Sequence, residues 1–185
     1  MREHVLGQFH IRRLHSADFP AFRRHFKRLD METRRARFGA PVNDDFIDSY
    51  VSSAHRPGNI VFGAFADGEI RASAELRGLD HVAESAAEAA FTIERCAQEI
   101  GLGSLLMDRI ITAAQNRQIR QIHMMCLRDN DRMKRLARKF GARLQIASDN
   151  VTGNITPSSP SVVSVFDEVW HDAAGYVSAV LEWRV

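Results

Sequence analysis

Gln98-Glu99-Ile100-Gly101-Leu102-Gly103-Ser104 joins an apolar run, Ala86 to Ile93, to an amphipathic stretch that continues from Ser104 to Asn116. The run reads as a strand and the stretch as a helix. A glycine-containing turn between them leaves backbone N–H groups unpaired at the helix N-terminus. The helix dipole adds partial positive charge at the same point. Together these features make a phosphate cradle. Its spelling excludes two nucleotide-binding readings. A dinucleotide fingerprint needs a third glycine where this chain has Leu106, and a Walker loop needs Gly-Lys-Ser/Thr, which is absent.

Upstream, His10 to Leu14 reads as a first strand. A helix follows from about Ala17 to Arg28, capped by Ser16, with Phe19, Phe22, Phe26 and Leu29 on its apolar face. Met31–Phe38 and Asp44–Ser53 read as two further helices. Asn59–Ala66 and Glu69–Leu79 read as strands joined by the hairpin dipeptide Asp67-Gly68, and His81–Ser85 as a connection. Downstream, Gln121–Leu127 is an apolar strand of the buried type. Asp129-Asn130 opens a basic helix that runs to Phe140 and ends at Gly141. Arg143–Ala147 is a strand, and Asn150–Asn154 is expected to turn through Gly153. Ser159 and Pro160 are placed to cap and start a last helix. Its apolar stripe runs through Val162, Val165, Phe166, Val169, Trp170, Ala173, Val177, Val180 and Leu181. The stripe packs on its own domain or, in the alternative reading, makes a homodimer contact.

The fold class that follows is α+β: a mixed, mostly antiparallel sheet flanked by helices, because hairpin strands precede a strand–helix–strand unit. At 185 residues the chain is expected to form a single domain, with residues 157–185 as a C-terminal helical extension. A composition of 45% hydrophobic and 26% charged residues is that of an ordinary globular protein. No apolar run approaches the roughly 18 residues of a membrane span. No signal-peptide pattern occurs in residues 1–13, and two cysteines are too few for a disulfide framework or zinc site. A cytoplasmic location and no metal are therefore expected. Residues 1–38 hold ten Lys/Arg against four acids, and residues 113–143 hold nine against two. Such blocks are solvated helix faces or attract an anionic partner. Without an aromatic platform among them they argue against nucleic acid.

Gln98-x-x-Gly101-x-Gly103 resembles the Gln/Arg-x-x-Gly-x-Gly/Ala signature of the GNAT acyltransferase superfamily. Asn130-x-x-Met133-x-x-Leu136-Ala137-x-Lys139-Phe140-Gly141 resembles its second signature. The close match covers about residues 86–142. A looser one covers residues 10–50, including Arg37-Phe38. The combination looks most like the acetyltransferase module of bacterial protein-lysine acetyltransferases.

The resemblance implies a GNAT-like sheet splayed between two parallel strands and an acetyl-CoA-dependent transfer of an acetyl group directly to an amine. The pantetheine arm of acetyl-CoA would pair with the backbone of Phe91, Thr92 and Ile93. Gln98, Glu99, Ile100, Gly101, Leu102, Gly103 and Ser104 would cradle the pyrophosphate. Asn130, Met133 and Lys139 would complete the cofactor side, with Lys134, Arg135 and Arg138 as candidates for the adenosine phosphate. The backbone N–H near Thr92 is the implied oxyanion donor. Relatives often carry Gly-Arg or Gly-Lys where this chain has Glu99-Ile100, and a Tyr where it has Ala137.

An alkyl ammonium has a pKa of about 10.4, so a general base is useful at neutral pH. Glu88 is the chosen base: strand alternation puts it on one face with Ala90, Thr92 and Glu94, in a cleft that would desolvate it. The protein-acetylating relatives carry their base at that position. Glu94, expected to be more exposed, is the reserve candidate. His123 and Cys126 read as core residues. The acceptor, a protein lysine or a small amine, is expected to meet the helices of residues 17–54, whose basic character suggests an anionic acceptor or an acidic surface around a lysine. The competing reading, prompted by Glu99 and Ala137, is a non-catalytic module that binds CoA or a partner.

Overall fold

Asp67 and Gly68 adopt φ of 52° and 71°, the pair of left-handed residues that a two-residue hairpin demands. They fold β2 (Ile60–Ala66) back onto β3 (Glu69–Arg77). The computed structural model describes residues 6–54, 56–78 and 85–182, with side chains of the last helix described as far as Asp172. The connection read at His81–Ser85 lies, apart from Ser85, outside the described residues. The remaining strands are β1 (His10–Arg13), β4 (Ala86–Ile93), β5 (Gln121–Leu127), β6 (Arg143–Ile146) and β7 (Asn150–Ile155). They form one seven-stranded sheet in the order β1-β2-β3-β4-β5-β7-β6. Every pairing is antiparallel except β4 with β5, which is parallel and confined to Ala86–Glu88 against Gln121–His123. Beyond Glu88 the two strands separate.

Among the described residues six helices flank the sheet: α1 (Phe19–Arg28), α2 (Met31–Phe38), α3 (Asp44–Ala54), α4 (Leu102–Asn116), α5 (Asp131–Lys139) and α6 (Val162–Glu182). Leu102, Leu106, Met107 and Ile110 of α4 pack on Ala72, Ala74, Leu76, Ala87, Ala89, Ile122 and Met124. On the opposite face, Phe22 and Phe26 of α1 and Ile47 and Val51 of α3 pack on Val61, Phe65 and Ile70. The small alanines of β3 and β4 let α4 approach the sheet closely, which fixes its N-terminus beside the end of β4.

Three local expectations are corrected. Ser16 does not cap α1: residues Ser16–Asp18 form a 3₁₀ turn, and the Asp18 carboxylate instead accepts from the His15 N–H at 2.8 Å and from Arg12. Gly153 is not a turn. It lies inside β7 between Leu144 and Met124, and a Cβ there would come within 3.1 Å of Leu144 Cδ2. The glycine serves close packing rather than chain reversal. Ser161, not Ser159, caps α6, accepting from Ser164 N–H while Ser164 Oγ accepts from Ser161 N–H. α6 is tethered to α4 through Asn116 to Ser164 and Glu168, and through Arg117 to Glu168. Its Phe166 and Trp170 remain 67% and 64% exposed. Among the described side chains, packing on its own domain uses Ser164 and Glu168, and the stripe residues Val162, Val165, Phe166, Val169 and Trp170 face outward.

Candidate active site

Hydrogen bonding in the sheet decides which backbone groups face the gap between β4 and β5. Glu94 N–H donates to Arg71 of β3, while the Ser85 carbonyl accepts from Arg120 and Gln121 on the β5 side. Strand alternation then turns Thr92 toward β3 and turns Phe91 and Ile93 toward the gap. The resemblance placed the oxyanion donor near Thr92; the register turns the Thr92 N–H toward β3 and those of Phe91 and Ile93 toward the gap. Gln98 braces this edge, its Nε2 donating to the Ile93 carbonyl at 2.9 Å. Thr92 contributes a buried hydroxyl that has no hydrogen-bond partner and lines the cavity beside it.

That cavity, about 480 Å³, is bounded by Phe91, Thr92, Ile93, Gln98, Glu99, Gly101, Gly103, Ser104, Asn130, Met133 and Lys139. The side chains of Ile100 and Leu102 do not line it. Both belong to the hydrophobic core, so only their backbone can serve a ligand. Gly101 has a φ of 112°, a conformation that favours glycine. Ser104 N–H turns back to the Gly101 carbonyl, whereas the N–H groups of Leu102 and Gly103 have no partner among the described residues. Lys139 Nζ donates to Ser104 Oγ at 2.8 Å, placing a cation at the helix N-terminus. Asn130 accepts from Met133 N–H as the cap of α5, which leaves its amide NH₂ to donate into the cavity. Arg132 and Arg135 line the cavity, but Lys134 turns away to the Arg128 carbonyl and Asp131. Sequence reasoning missed Glu32, Thr33, Ala36 and Arg37 of α2, which close this cavity from above.

Glu99 is the departure in the phosphate turn, and its surroundings compensate it. It adopts a φ of 63° and accepts from Arg132 Nε at 3.3 Å. The pair is exposed, so its net worth is small. Glu99→Gln is expected to tighten CoA binding about two- to fivefold, since one negative charge near the anion site is removed. Calorimetric titration at low salt checks this, and the gain shrinks as salt is added.

A second cavity, about 210 Å³, is lined by Phe38, Gly39, Glu88, Ala89, Met125, Cys126 and Leu127 among others. It shares Ala36, Arg37, Phe91, Asn130 and Met133 with the first, so the two meet at the gap. Glu88 is exposed at this rim rather than desolvated in a cleft, and it makes no ion pair among the described residues. Cys126 lines the same cavity half-buried, and burial pushes its thiol up from the ordinary range. His123 is half-buried and paired with Asn154. Ala137 is buried in the core, so no side chain there reaches the leaving thiol.

Glu94 is no reserve base. It is 7% exposed and accepts from His25 Nδ1 at 3.0 Å, from Arg28 and from Arg71. Burial works to raise its proton affinity, but His25, Arg71 and Arg28 outweigh it and hold the carboxyl below the usual range. Glu75, 1% exposed, is held between Arg37, Arg77 and the Tyr50 hydroxyl. Burial again opposes ionisation, and Arg37 and Arg77 overcome it. Most cations of α1 and α2 are engaged likewise: Arg23 and Lys27 with Asp48, Arg28 with Glu69, Arg34 with Asp44, Arg35 with Asp129. The anionic acceptor expected from the basic character of these helices loses that support.

Burial lowers the proton affinity of His25 below its ordinary pKa of 6.5, against the pull of Glu94. The unfolded chain therefore takes up this proton first. Stability is expected to fall as pH drops below about 6.5 until the folded pKa is reached, by up to about 1.4 kcal/mol per pH unit. Urea midpoints at pH 7 and pH 5.5 check this, and His25→Gln should flatten the change.

The profile of the Acetyltransferase (GNAT) family matches residues 12–142, and the chain belongs to that family. No functionally curated sequence is similar enough to count as a match. The fold is similar to the GNAT domain of S. lividans PAT, with a TM-score of 0.69 at 18% identity over 80% of this chain and 94% of that one. It is also similar to a putative acetyltransferase, YncA, from Salmonella typhimurium solved with acetyl-CoA (TM-score 0.63, 16% identity, 83% and 96% covered). A third similar structure is the ribosomal-protein-S18-alanine N-acetyltransferase from Escherichia coli (TM-score 0.62, 16% identity, 82% and 96% covered).

Proposed function

We propose that the protein is an acetyl-CoA-dependent N-acetyltransferase that moves the acetyl group directly to an amine. The observation that carries this reading is the meeting of two cavities at the β4/β5 gap, one ending on a phosphate cradle and the other holding Glu88. The residues present fit acetyl-CoA: unpaired N–H groups at Leu102 and Gly103, Lys139 beside them, and an open strand edge at Phe91 and Ile93. Similar GNAT structures, such as the YncA complex, hold that cofactor.

In this mechanism the amine enters through the smaller cavity and Glu88, directly or through water, takes its proton. The nitrogen attacks the thioester carbon, and the developing oxyanion accepts from the Phe91 and Ile93 N–H groups. Collapse breaks the carbon–sulfur bond, and the nitrogen gives its second proton to water as the amide forms. CoA departs as thiolate, which suits a thiol pKa of about 8.5, and takes its proton from water. The transfer is direct, without a side-chain nucleophile; among the described residues no group of three or more His, Cys, Asp or Glu is placed to hold a metal ion. The unpaired thiols of Cys96 and Cys126 fit a reducing compartment such as the cytoplasm. No helix among the described residues is long and apolar enough to cross a membrane.

Acetyl-CoA is expected to stabilise the fold by about 2.7 kcal/mol at a hundredfold excess over Kd. Thermal unfolding with and without millimolar acetyl-CoA checks this, and an unchanged midpoint removes the cofactor assignment.

A further inference from the structure

We propose that the open face of β5, β7 and β6 is the docking platform for a polypeptide acceptor, and that Arg143 pairs with an acidic side chain about four residues from its acetylated lysine. This rests on the acetyltransferase reading and names the acceptor class for the same site.

The platform follows from register. Arg77 faces Glu88, Glu88 faces His123, His123 faces Asn154, and Asn154 faces Arg143. Residues in register carry their side chains to the same face. These five therefore form one polar row across β3, β4, β5, β7 and β6. The other face of the same strands is core, with Ile122, Met124, Val151 and Ile155 buried there. The row's face is thus the outward one, and Met125, Gln145 and Arg143 on it are exposed.

Charge along the row is complementary to a peptide rather than to the protein itself. Arg77 is neutralised by Glu75. His123 Nδ1 meets the carboxamide oxygen of Asn154, which can only accept, so the ring donates there and the pair is internally satisfied. Glu88 and Arg143 at the two ends of what remains make no ion pair among the described residues, although most cations of α1 and α2 do. Glu88 opens into the cavity where the amine must arrive. Arg143 stands three strand spacings away, about 14 Å. An extended chain advances about 3.3 Å per residue, so about four residues separate the lysine over Glu88 from a side chain at Arg143. A small amine would fill the cavity and leave this surface unused.

Steady-state acetylation of short lysine peptides tests the proposal. Each peptide carries Glu, Gln or Lys three, four or five residues to either side of the acceptor lysine, and a small alkylamine serves as reference. The wild type should prefer one Glu peptide over its Gln counterpart by about two- to fivefold in kcat/KM, the size of one exposed ion pair. Arg143→Ala should abolish that preference, Arg143→Glu should transfer it to the Lys peptide, and Arg143→Lys should retain most of it. Alkylamine turnover should not change in any of the three. Equal use of Glu and Gln peptides by the wild type, or a parallel loss of alkylamine turnover in the variants, would overturn the platform. Alkylamine turnover with no peptide acetylated would overturn it too, leaving the acetyltransferase reading intact. No transfer to any acceptor would remove both.

Discussion

Glu88→Gln is expected to lower kcat/KM at neutral pH by about 10²–10⁴-fold, the usual contribution of a positioned general base. Affinity for CoA should be unaffected, because Glu88 borders only the smaller cavity. The separation is diagnostic. A charge that merely lay near the cofactor would change CoA binding, whereas a base changes turnover alone. Arg37 senses the Glu88 charge, which contributes to raising the guanidinium's proton affinity, so the carboxylate is felt at the junction of the two cavities. The deficit should narrow as pH rises, since a larger fraction of the amine is then already deprotonated. Initial rates from pH 7 to pH 9.5 with one amine acceptor check both statements. A variant with wild-type kcat/KM at pH 7 contradicts the assignment of the base.

Glu75→Gln is expected to destabilise the fold by about 3 kcal/mol, because it leaves two guanidiniums facing a buried site without their anion. For a chain of this length that corresponds to a fall in Tm of about 10 °C. Glu75 accepts from Arg77 Nε at 2.8 Å and from Arg37 at 3.0 Å, and Tyr50 donates its hydroxyl to it. Desolvation pushes the Tyr50 phenol up, with the Glu75 charge adding to the effect, so Tyr50 stays a neutral donor. The folded Glu75 carboxyl titrates below its unfolded value. Its contribution is therefore complete above the unfolded pKa of about 4.3 and is lost as pH falls through the folded one. The gap between wild type and variant should accordingly shrink in acid. Urea midpoints at pH 7 and pH 3.5 measure it, and equal midpoints at pH 7 contradict the account. Because Arg37 lines both cavities, the same variant should also lose turnover.

Strand and helix identities were legible where one signal dominated. Asp67-Gly68 determined a hairpin because only left-handed residues close it, and Gln121–Leu127 was legible as a strand from its apolar run, although it is not of the buried type: Gln121 and Met125 are exposed because only one face of the sheet is core there. The glycine turn and Asn130 were legible because both act through backbone chemistry that few residue types can supply. Gly153 was misread because a glycine demanded by a neighbour's bulk looks the same in sequence as one demanded by a turn. Glu94 and Glu75 were hidden for a different reason. A buried carboxylate and a surface one are spelled identically, and apart from Arg77, two residues from Glu75, the cations that stabilise these two come from α1, α2 and Arg71, distant in sequence. The same long-range pairing removed the meaning of the basic block: Arg23 and Arg34 face Asp48 and Asp44 of α3 rather than a ligand. Which N–H beside Thr92 faces the gap was not legible, because only the register tells it.

In the proposed reaction an acetyl group crosses from one cavity to the other at the β4/β5 gap. Its most direct test is a stoichiometric one: incubate the protein with acetyl-CoA and a panel of primary amines and lysine peptides, and measure CoA thiol released against acetyl-amine formed by mass spectrometry. The account predicts saturable release with one amide formed per thiol and no acetylated protein intermediate. Tight acetyl-CoA binding with no transfer to any primary amine would contradict it.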